Sequence, residues 1–233
     1  MPPYNTLVVG AFAGGVEAVD RLVSALSPDF PDTVLVVVHT AAEGPGTLWR
    51  LLARNAVLPV VTPSDGMQLK PGHVYVAPPD FYMTVDDGVL RPTRGPMEDR
   101  HRPAIDPLFC SAAQARDSDV VGVILTGYLD DGTGGLISIK RAGGLAVVQD
   151  PQDAAAPSMP RSAMEHVQVD YCLPLDEIAP TLDRLARSNG GAARRRNNGR
   201  KRRTYMESDD ERVKGKPSQY TCPECDGTLW EGG

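Results

Sequence analysis

Two side chains at the ends of predicted strands could carry acid–base chemistry. His39 ends the apolar run that begins at Val34, and Asp131 follows a strand predicted over 120–127. An imidazole and a carboxylate are two members of a nucleophile–histidine–acid relay, in which the histidine takes the nucleophile's proton and the carboxylate orients the ring. The third member would be a hydroxyl or thiol on the sharp turn after the first strand. That position is occupied by Phe12.

The turn that carries Phe12 lies in the stretch VVGAFAGGVEAV, residues 8–19. An apolar run meets a glycine-bounded turn there, and an amphipathic helical pattern follows, which is how a strand leads into a helix and displays a reactive group at the tip. A phenyl ring cannot attack a carbonyl carbon. The stretch matches neither G-x-G-x-x-G nor G-x-x-x-x-G-K-[ST], which disfavours nucleotide binding.

Each of these signals has a structural explanation when taken alone. A histidine at a strand end is more often a hydrogen-bonded structural residue, and Asp-Asp-Gly at 130–132 is more often a helix cap and turn. Their occurrence at three strand ends favours a functional site, because ligands of doubly wound sheets bind at the carboxyl ends of the strands.

The elements that would position these residues alternate between strands and helices. Strands are predicted over 5–11, 34–39, 73–78, 120–127 and 144–150, with a hairpin over 81–93 that has Asp-Gly at its turn. Helices are predicted over 14–26, 47–55, 103–115, 133–143, 158–167 and 178–187. This alternation predicts an α/β fold: a doubly wound, mostly parallel sheet with helices on both faces, in a Rossmann-like three-layer arrangement.

Composition limits the class of protein. No stretch approaches the ~20 apolar residues of a membrane helix, and the N-terminus lacks a signal-peptide pattern, so we expect a cytoplasmic protein without membrane insertion. The net charge is −6, but residues 188–233 hold 10 Lys and Arg against 7 Asp and Glu, which leaves 14 against 23 in residues 1–187. An acidic folded region makes nucleic acid an improbable partner.

The chain divides into three segments by composition. Residues 1–187 are predicted to form the folded domain, and its isolated cysteines, Cys110 and Cys172, to be buried thiols. Residues 188–218 turn from basic to acidic with few apolar side chains, which predicts a disordered linker. A solvated linker is the simpler interpretation, and a patch for an acidic partner or nucleic acid is the alternative. Residues 219–233 form a separate tail.

Six motifs, taken in order, resemble the catalytic domain of the chemotaxis protein-glutamate methylesterases, the CheB family. They are GAFAGGVEA at 10–18, the apolar strand ending in His39, PGHVYVAPPD at 71–80, RHRPAIDPLF at 100–109, GVILTGYLDDGTGGL at 122–136 and SMPRSA at 158–163. The resemblance runs from Asn5 to Leu185 and implies a doubly wound α/β fold with no cofactor for catalysis. Family members hydrolyse γ-glutamyl methyl esters on chemoreceptors and deamidate certain glutamines.

The resemblance implies a catalytic role for three positions. The family's histidine and aspartate fall on His39 and Asp131, and its serine falls on Phe12, where the usual motif reads Gly-Ala-Ser-x-Gly-Gly. The partner implied is a methylated chemoreceptor-like protein or a small ester.

Four further positions are implied to bind substrate. Backbone amides around Ala13 and Tyr128 would resemble the oxyanion hole, and relatives usually have methionine at the position of Tyr128. Arg102 matches an arginine near the substrate cleft, and Pro160 falls in a loop that lines the cleft.

Two departures from the family pattern lie outside this site. Regulatory members carry a receiver domain ahead of the catalytic one, and we expect a stand-alone form without it. The tail YTCPECDGTLWE resembles the start of a zinc ribbon, with Cys222 and Cys225 as metal ligands. A closed structural zinc site needs four ligands. We therefore expect structural zinc only in a longer chain or in a site shared between two chains.

Three functions follow from these observations and remain open. The first is a methylesterase whose hydrolysis of receptor methyl esters is strongly reduced by Phe12. The second is a catalytically inactive binding module for a methylated or glutamate-rich partner. The third is a hydrolase of small esters or lactones in which His39 activates water, which requires the Phe12 ring to swing away from the cleft.

Overall fold

Seven parallel strands form the main sheet of the computed structural model, which describes residues 6–39, 48–94, 102–189, 215–221 and 228–232. They are β1 (Thr6–Ala11), β2 (Thr33–Val38), β3 (Val60–Val61), β5 (Val74–Val76), β8 (Val120–Ile124), β9 (Leu145–Gln149) and β10 (Tyr171–Leu173). Their order is β10-β9-β8-β1-β2-β5-β3. Every residue of β1, β2 and β8 is buried, as expected for central parallel strands covered on both faces.

A smaller antiparallel sheet is formed by two segments of the chain, one before β5 and one after it. It consists of β4 (Met67–Gln68), β6 (Tyr82–Asp86) and β7 (Val89–Thr93), in the order β4-β7-β6. The β6–β7 turn is formed by Asp87 and Gly88, whose φ values of 45° and 80° are both positive, as a two-residue type I′ hairpin turn requires. The predicted hairpin with Asp-Gly at its turn is confirmed.

Six helices cover the main sheet: α1 (Gly15–Ser24), α2 (Leu48–Asn55), α3 (Ile105–Arg116), α4 (Thr133–Arg141), α5 (Ser158–His166) and α6 (Leu175–Asn189). Buried side chains of α1 and α6 join Val9 in one apolar cluster, and those of α3, α4 and α5 join Val8 in a second. Because neighbouring residues of a strand point to opposite faces, helices lie on both faces of the sheet. The predicted doubly wound α/β fold is confirmed.

Two sequence predictions about this domain need correction. Strands β3 and β10, at the two edges of the sheet, were not predicted, because runs of two and three residues carry too little periodicity to be recognised. Cys172 lies in the edge strand β10 and is exposed, so the predicted burial of this thiol is wrong, and Cys110 is only partly buried.

The chain separates into two compact units, Met1–Ala193 and Arg194–Gly233. In the second unit, β11 (Gly215–Thr221) pairs antiparallel with β12 (Thr228–Gly232). Helix α6 ends at Asn189 rather than at 187, and residues 215–218 of the predicted linker belong to β11. Residues 190–214, Cys222 and Cys225 lie outside the described residues, so the linker and tail assignments stay predictions. No helix in the described ranges is long and apolar enough to cross a membrane.

Candidate active site

The carboxyl ends of three strands lie side by side, because β8, β1 and β2 are neighbours and run parallel. The line along which these carboxyl ends lie is called the edge of the sheet. Phe12 follows β1, His39 follows β2, and residues 125–132 connect β8 to α4. The backbone pairing continues past the strands: the His39 N–H donates to the Ala11 carbonyl at 3.0 Å, and the Phe12 N–H donates to the Thr126 carbonyl at 2.9 Å. The backbone therefore fixes the relative positions of all three segments.

His39 and Asp131 are in direct contact at this edge. The Nε2 atom of His39 lies against Oδ2 of Asp131. Their side chains are 6% and 19% exposed, so the pair is largely shielded from water. The structure thus brings together the two titratable side chains that the sequence singled out.

The carboxylate of Asp131 is also bound by the first turn of α3. Its Oδ2 accepts the Ile105 N–H at 2.7 Å, and its Oδ1 accepts the Asp106 N–H at 2.9 Å. These N–H groups have no partner inside the helix, and the positive end of the helix dipole favours a negative charge there. Asp131 therefore caps α3, whereas the following helix α4 begins after Gly132 without a side-chain cap.

This environment keeps Asp131 ionised. Burial raises the pKa of the carboxyl group, but the hydrogen bond from His39, the charge of His39 and the two α3 amides lower it, and the net pKa lies below the ordinary value. An ionised carboxylate beside an imidazole can orient the ring and stabilise its cation.

The ring of Phe12 packs against the imidazole of this pair. Its centroid lies 5.0 Å from that of the His39 imidazole, with the planes tilted by 43°. It also meets the ring of Tyr128 edge to face, with centroids 6.2 Å apart and an interplanar angle of 88°. Tyr128 itself is 57% exposed, so it forms the outer rim of the group. The Phe12 side chain is therefore not turned away from His39.

The turn that carries Phe12 is tight. The Gly15 N–H donates to the Phe12 carbonyl at 2.8 Å, and Gly14 adopts a left-handed φ of 73°, which a residue with a Cβ atom rarely adopts. Ala13 lies in the middle of this turn and is partly buried. Among the described residues, none accepts a hydrogen bond from the N–H of Ala13 or of Tyr128.

Two predicted substrate-binding residues differ from expectation in their surroundings. Pro160 is the third residue of α5 and is buried, so the helix predicted over 158–167 is confirmed and the cleft loop that the resemblance implied for Pro160 is wrong. Arg102 is held by Asp80: its Nε donates to Oδ1 at 2.8 Å, and its side chain is only 14% exposed. A contact of Arg102 with substrate stays a prediction.

Sequence reasoning missed two buried polar residues behind the turn. Thr126 and Gln149 are 1% and 2% exposed, and the Thr126 N–H donates to Oε1 of Gln149 at 2.9 Å. The signal that could have found them is a polar residue at the end of an otherwise apolar strand, because a buried polar side chain needs a hydrogen-bond partner.

No group of three or more His, Cys, Asp or Glu side chains that could hold a metal ion occurs within the described ranges. The two cysteines predicted as zinc ligands lie outside those ranges.

Comparison with known proteins identifies the family and the fold of the chain. The family model described as "CheB methylesterase" matches residues 7–182. The chain belongs to this family. The predicted resemblance is confirmed, and the seven-stranded sheet is that of the family's catalytic domain.

Individual relatives agree with this assignment. The chain is 37% identical over 187 residues to a "Putative protein-glutamate methylesterase/protein-glutamine glutaminase" of Leptospira interrogans, covering 80% of this chain and 97% of that protein. It is 39% identical over 183 residues to the "Protein-glutamate methylesterase/protein-glutamine glutaminase 2" of Anaeromyxobacter dehalogenans, covering 78% of this chain and 54% of that one. The chain therefore spans about half the length of the second relative.

A solved structure extends the likeness to three dimensions. The crystal structure of the Thermotoga maritima CheB methylesterase catalytic domain superposes with a TM-score of 0.74 at 31% sequence identity, covering 78% of this chain and 98% of that one.

Proposed function

We propose that this CheB-family chain binds γ-glutamyl methyl esters of a chemoreceptor-like partner, while Phe12 silences hydrolysis at its own site. The observation that carries the proposal is the packing of the Phe12 ring against His39 of the His39–Asp131 pair. The relatives' names, protein-glutamate methylesterase and protein-glutamine glutaminase, supply the substrate class: a glutamyl methyl ester or a glutamine amide.

The His39–Asp131 pair has the arrangement of a general base and its orienting carboxylate, but the nucleophile that the base would deprotonate is missing. In a serine relay the imidazole takes the serine proton while the carboxylate stabilises the resulting cation. Because Asp131 contacts Nε2, the ring nitrogen that would have to serve a nucleophile at position 12 is Nδ1. Phe12 offers no oxygen there. Loss of the nucleophile in such an enzyme typically lowers turnover by about a million-fold, with ~10³–10⁴ over water left from oxyanion stabilisation and binding.

The backbone around position 12 supports retention of an oxyanion site. No described residue accepts a hydrogen bond from the N–H of Ala13 or Tyr128, so both donors suit a substrate carbonyl oxygen. Such donors act mainly on the tetrahedral intermediate and contribute only a weak hydrogen bond to the ground-state carbonyl, but they do not depend on the side chain at position 12. A chain without a nucleophile can therefore still bind the ester group.

Hydrolysis assays on four proteins test the silencing. Methanol release from a methylated receptor fragment, and cleavage of a generic activated ester, are measured for the parent chain, Phe12→Ser, Phe12→Ala and the Phe12→Ser, His39→Ala double variant. We expect only Phe12→Ser to gain several orders of magnitude in kcat, and the second change to remove most of the gain, since a general base contributes about 10²–10⁴-fold.

Phe12→Ala is the matched control because it removes the ring without supplying a hydroxyl. If Phe12→Ala gains as much as Phe12→Ser, or if the parent chain is already active and serine adds nothing, His39 activates water and the proposal is wrong. In that case the chain is a hydrolase of small esters or lactones.

Binding by the parent chain tests recognition separately. Calorimetry with methylated and unmethylated forms of the same receptor fragment should show tighter binding of the methylated form by about 10-fold or more, the range that one methyl-sized group supplies in an apolar pocket. Equal affinities for the two forms would refute recognition of the ester.

A further inference from the structure

One buried side chain holds the turn at position 12 from behind. The Oγ1 of Thr126 donates to the Ala13 carbonyl at 2.9 Å and accepts the Ala156 N–H at 2.8 Å. The Thr126 carbonyl accepts the Phe12 N–H at 2.9 Å. Thr126 therefore binds the peptide group before Phe12 through its backbone and the peptide group after Ala13 through its hydroxyl.

Thr126 is itself fixed by a chain of hydrogen bonds that runs through the buried Gln149 to the exposed Asp153. Its N–H donates to Oε1 of Gln149 at 2.9 Å, and Nε2 of Gln149 donates to Asp153 at 2.8 Å. Asp153 also accepts the Leu175 N–H at 2.9 Å, at the start of α6. The hydrogen bond from Gln149 and the Leu175 amide lower the pKa of the Asp153 carboxyl group, so Asp153 acts as a charged anchor for the chain.

The peptide group between Phe12 and Ala13 is thus enclosed on both sides. Its carbonyl accepts the Gly15 N–H at 2.8 Å, and the peptide groups that precede and follow it are bound by Thr126. Three neighbouring peptide planes that are each hydrogen-bonded leave little freedom for the Ala13 N–H. The direction of the Ala13 N–H is therefore set by these hydrogen bonds.

We propose that Thr126 is a positioning residue whose hydroxyl sets the direction of the Ala13 N–H, the oxyanion donor beside position 12. This inference rests on the proposed function, because Ala13 acts as such a donor only if position 12 is the nucleophile site. A preorganised donor matters in the transition state, where charge develops on the carbonyl oxygen, and loss of one donor lowers kcat by about 10²–10³-fold. Substrate affinity should change little.

The kinetic test uses the Phe12→Ser background. Adding Thr126→Val replaces the hydroxyl with a methyl group of similar size, and we expect kcat to fall about 100-fold while KM stays within about threefold. Thr126→Ser keeps the hydroxyl and should keep kcat within about threefold. Thr33→Val is the matched control: Thr33 is fully buried, and its Oγ1 donates to the Lys70 carbonyl at 2.9 Å, at the other end of β2. It should leave kcat and KM unchanged.

A rise in KM without a fall in kcat, or equal kcat values for Thr126→Val and Thr33→Val, would overturn the inference. So would a fall in kcat that Thr126→Ser shares, because the hydroxyl would then not be the cause.

Amide hydrogen exchange in the parent chain gives a result that needs no restored activity. Thr126→Val should raise the exchange rates of the Phe12 and Gly15 N–H groups by about tenfold, as expected when one buried hydrogen bond of the turn is lost, with no change in β2. Unchanged exchange at both amides overturns the inference whatever the kinetics. If Phe12→Ser shows no esterase activity but exchange rises, the proposed function fails, Ala13 is no oxyanion donor, and Thr126 holds the turn for structural reasons alone.

Discussion

The ring of Phe12 lies against the imidazole of His39, with 5.0 Å between their centroids. The same imidazole contacts Asp131, whose carboxylate is held by the first two amides of α3. An imidazole and a carboxylate are therefore in contact beside an apolar side chain. We infer that this chain keeps the binding and acid–base parts of a methylesterase site without the group that attacks the ester.

The position of Asp131 makes stability depend on pH. Its pKa in the folded chain lies below the unfolded value of about 3.9, so the carboxylate stabilises the fold above that pH, and the stabilisation is lost as the pH falls through the folded-state pKa. We expect Asp131→Asn to lower the free energy of unfolding at pH 7 by about 1.5–3 kcal/mol, the range for hydrogen bonds to a charged group.

Urea unfolding of the parent and Asp131→Asn chains between pH 7 and pH 3 checks this. The difference in unfolding free energy between the two chains should shrink below about pH 4. Asp130→Asn, at the exposed neighbouring position, should change the unfolding free energy by less than about 0.5 kcal/mol at any of these pH values. A difference for Asp131→Asn that is constant across the range would contradict the assigned role.

Arg102 and Arg94 contact the same carboxylate but should differ in energy. Arg102 is 14% exposed and hydrogen-bonded to Asp80, whereas Arg94 is 61% exposed and lies 3.4 Å from Asp80. In double-mutant cycles with Asp80→Asn we expect a coupling energy of about 1–2 kcal/mol for Arg102→Ala and less than about 0.5 kcal/mol for Arg94→Ala. The contact of Arg94 with the Phe81 ring is lost whether or not Asp80 is mutated, so it cancels in the coupling energy. Equal couplings would show that the shielding of Arg102 has no energetic consequence.

A substitution at Gly127 tests the packing next to Phe12. A Cβ atom at this position would lie 2.5 Å from Cε and 2.8 Å from Sδ of Met159, which is fully buried, and 3.1 Å from Cβ of Phe12. Overpacking of this kind costs about 1–3 kcal/mol, and we expect Gly127→Ala to destabilise the chain by that amount in urea unfolding. Met159→Val removes the two clashing atoms, so it should cost less in the Gly127→Ala background than in the parent. Strict additivity of the two changes would refute the clash.

The position of the site could be predicted because the relevant strands are long and apolar. The runs that become β1, β2 and β8 are entirely buried, and parallel strands of a doubly wound sheet end at the same edge. Phe12, His39 and the loop containing Asp131 follow those runs directly. The sequence therefore indicated which side chains would share an edge without indicating their distances.

The contacts that tune the site could not be predicted, because they join residues far apart in the chain. Asp131 meets the amides of Ile105 and Asp106, some 25 residues earlier, and Arg102 meets Asp80, 22 residues earlier. The hydrophobic periodicity of a local segment carries no information about contacts between residues so far apart. Pro160, by contrast, lies in a helix as the pattern over 158–167 predicted, and not in the cleft loop that the resemblance implied, because proline is tolerated in the first turn of a helix, where its missing N–H costs nothing.

The most direct test of the account is the reactivity of a serine introduced at position 12. An alkyl fluorophosphonate phosphonylates activated serine hydroxyls with loss of fluoride, and intact mass spectrometry with peptide mapping locates the adduct. The account predicts one adduct at position 12 in Phe12→Ser, none there in the parent chain, and labelling at least 100-fold slower when His39→Ala is added. A folded Phe12→Ser chain that stays unlabelled, or one whose labelling is indifferent to His39, would contradict the claim that Phe12 stands in the place of a nucleophile served by the His39–Asp131 pair.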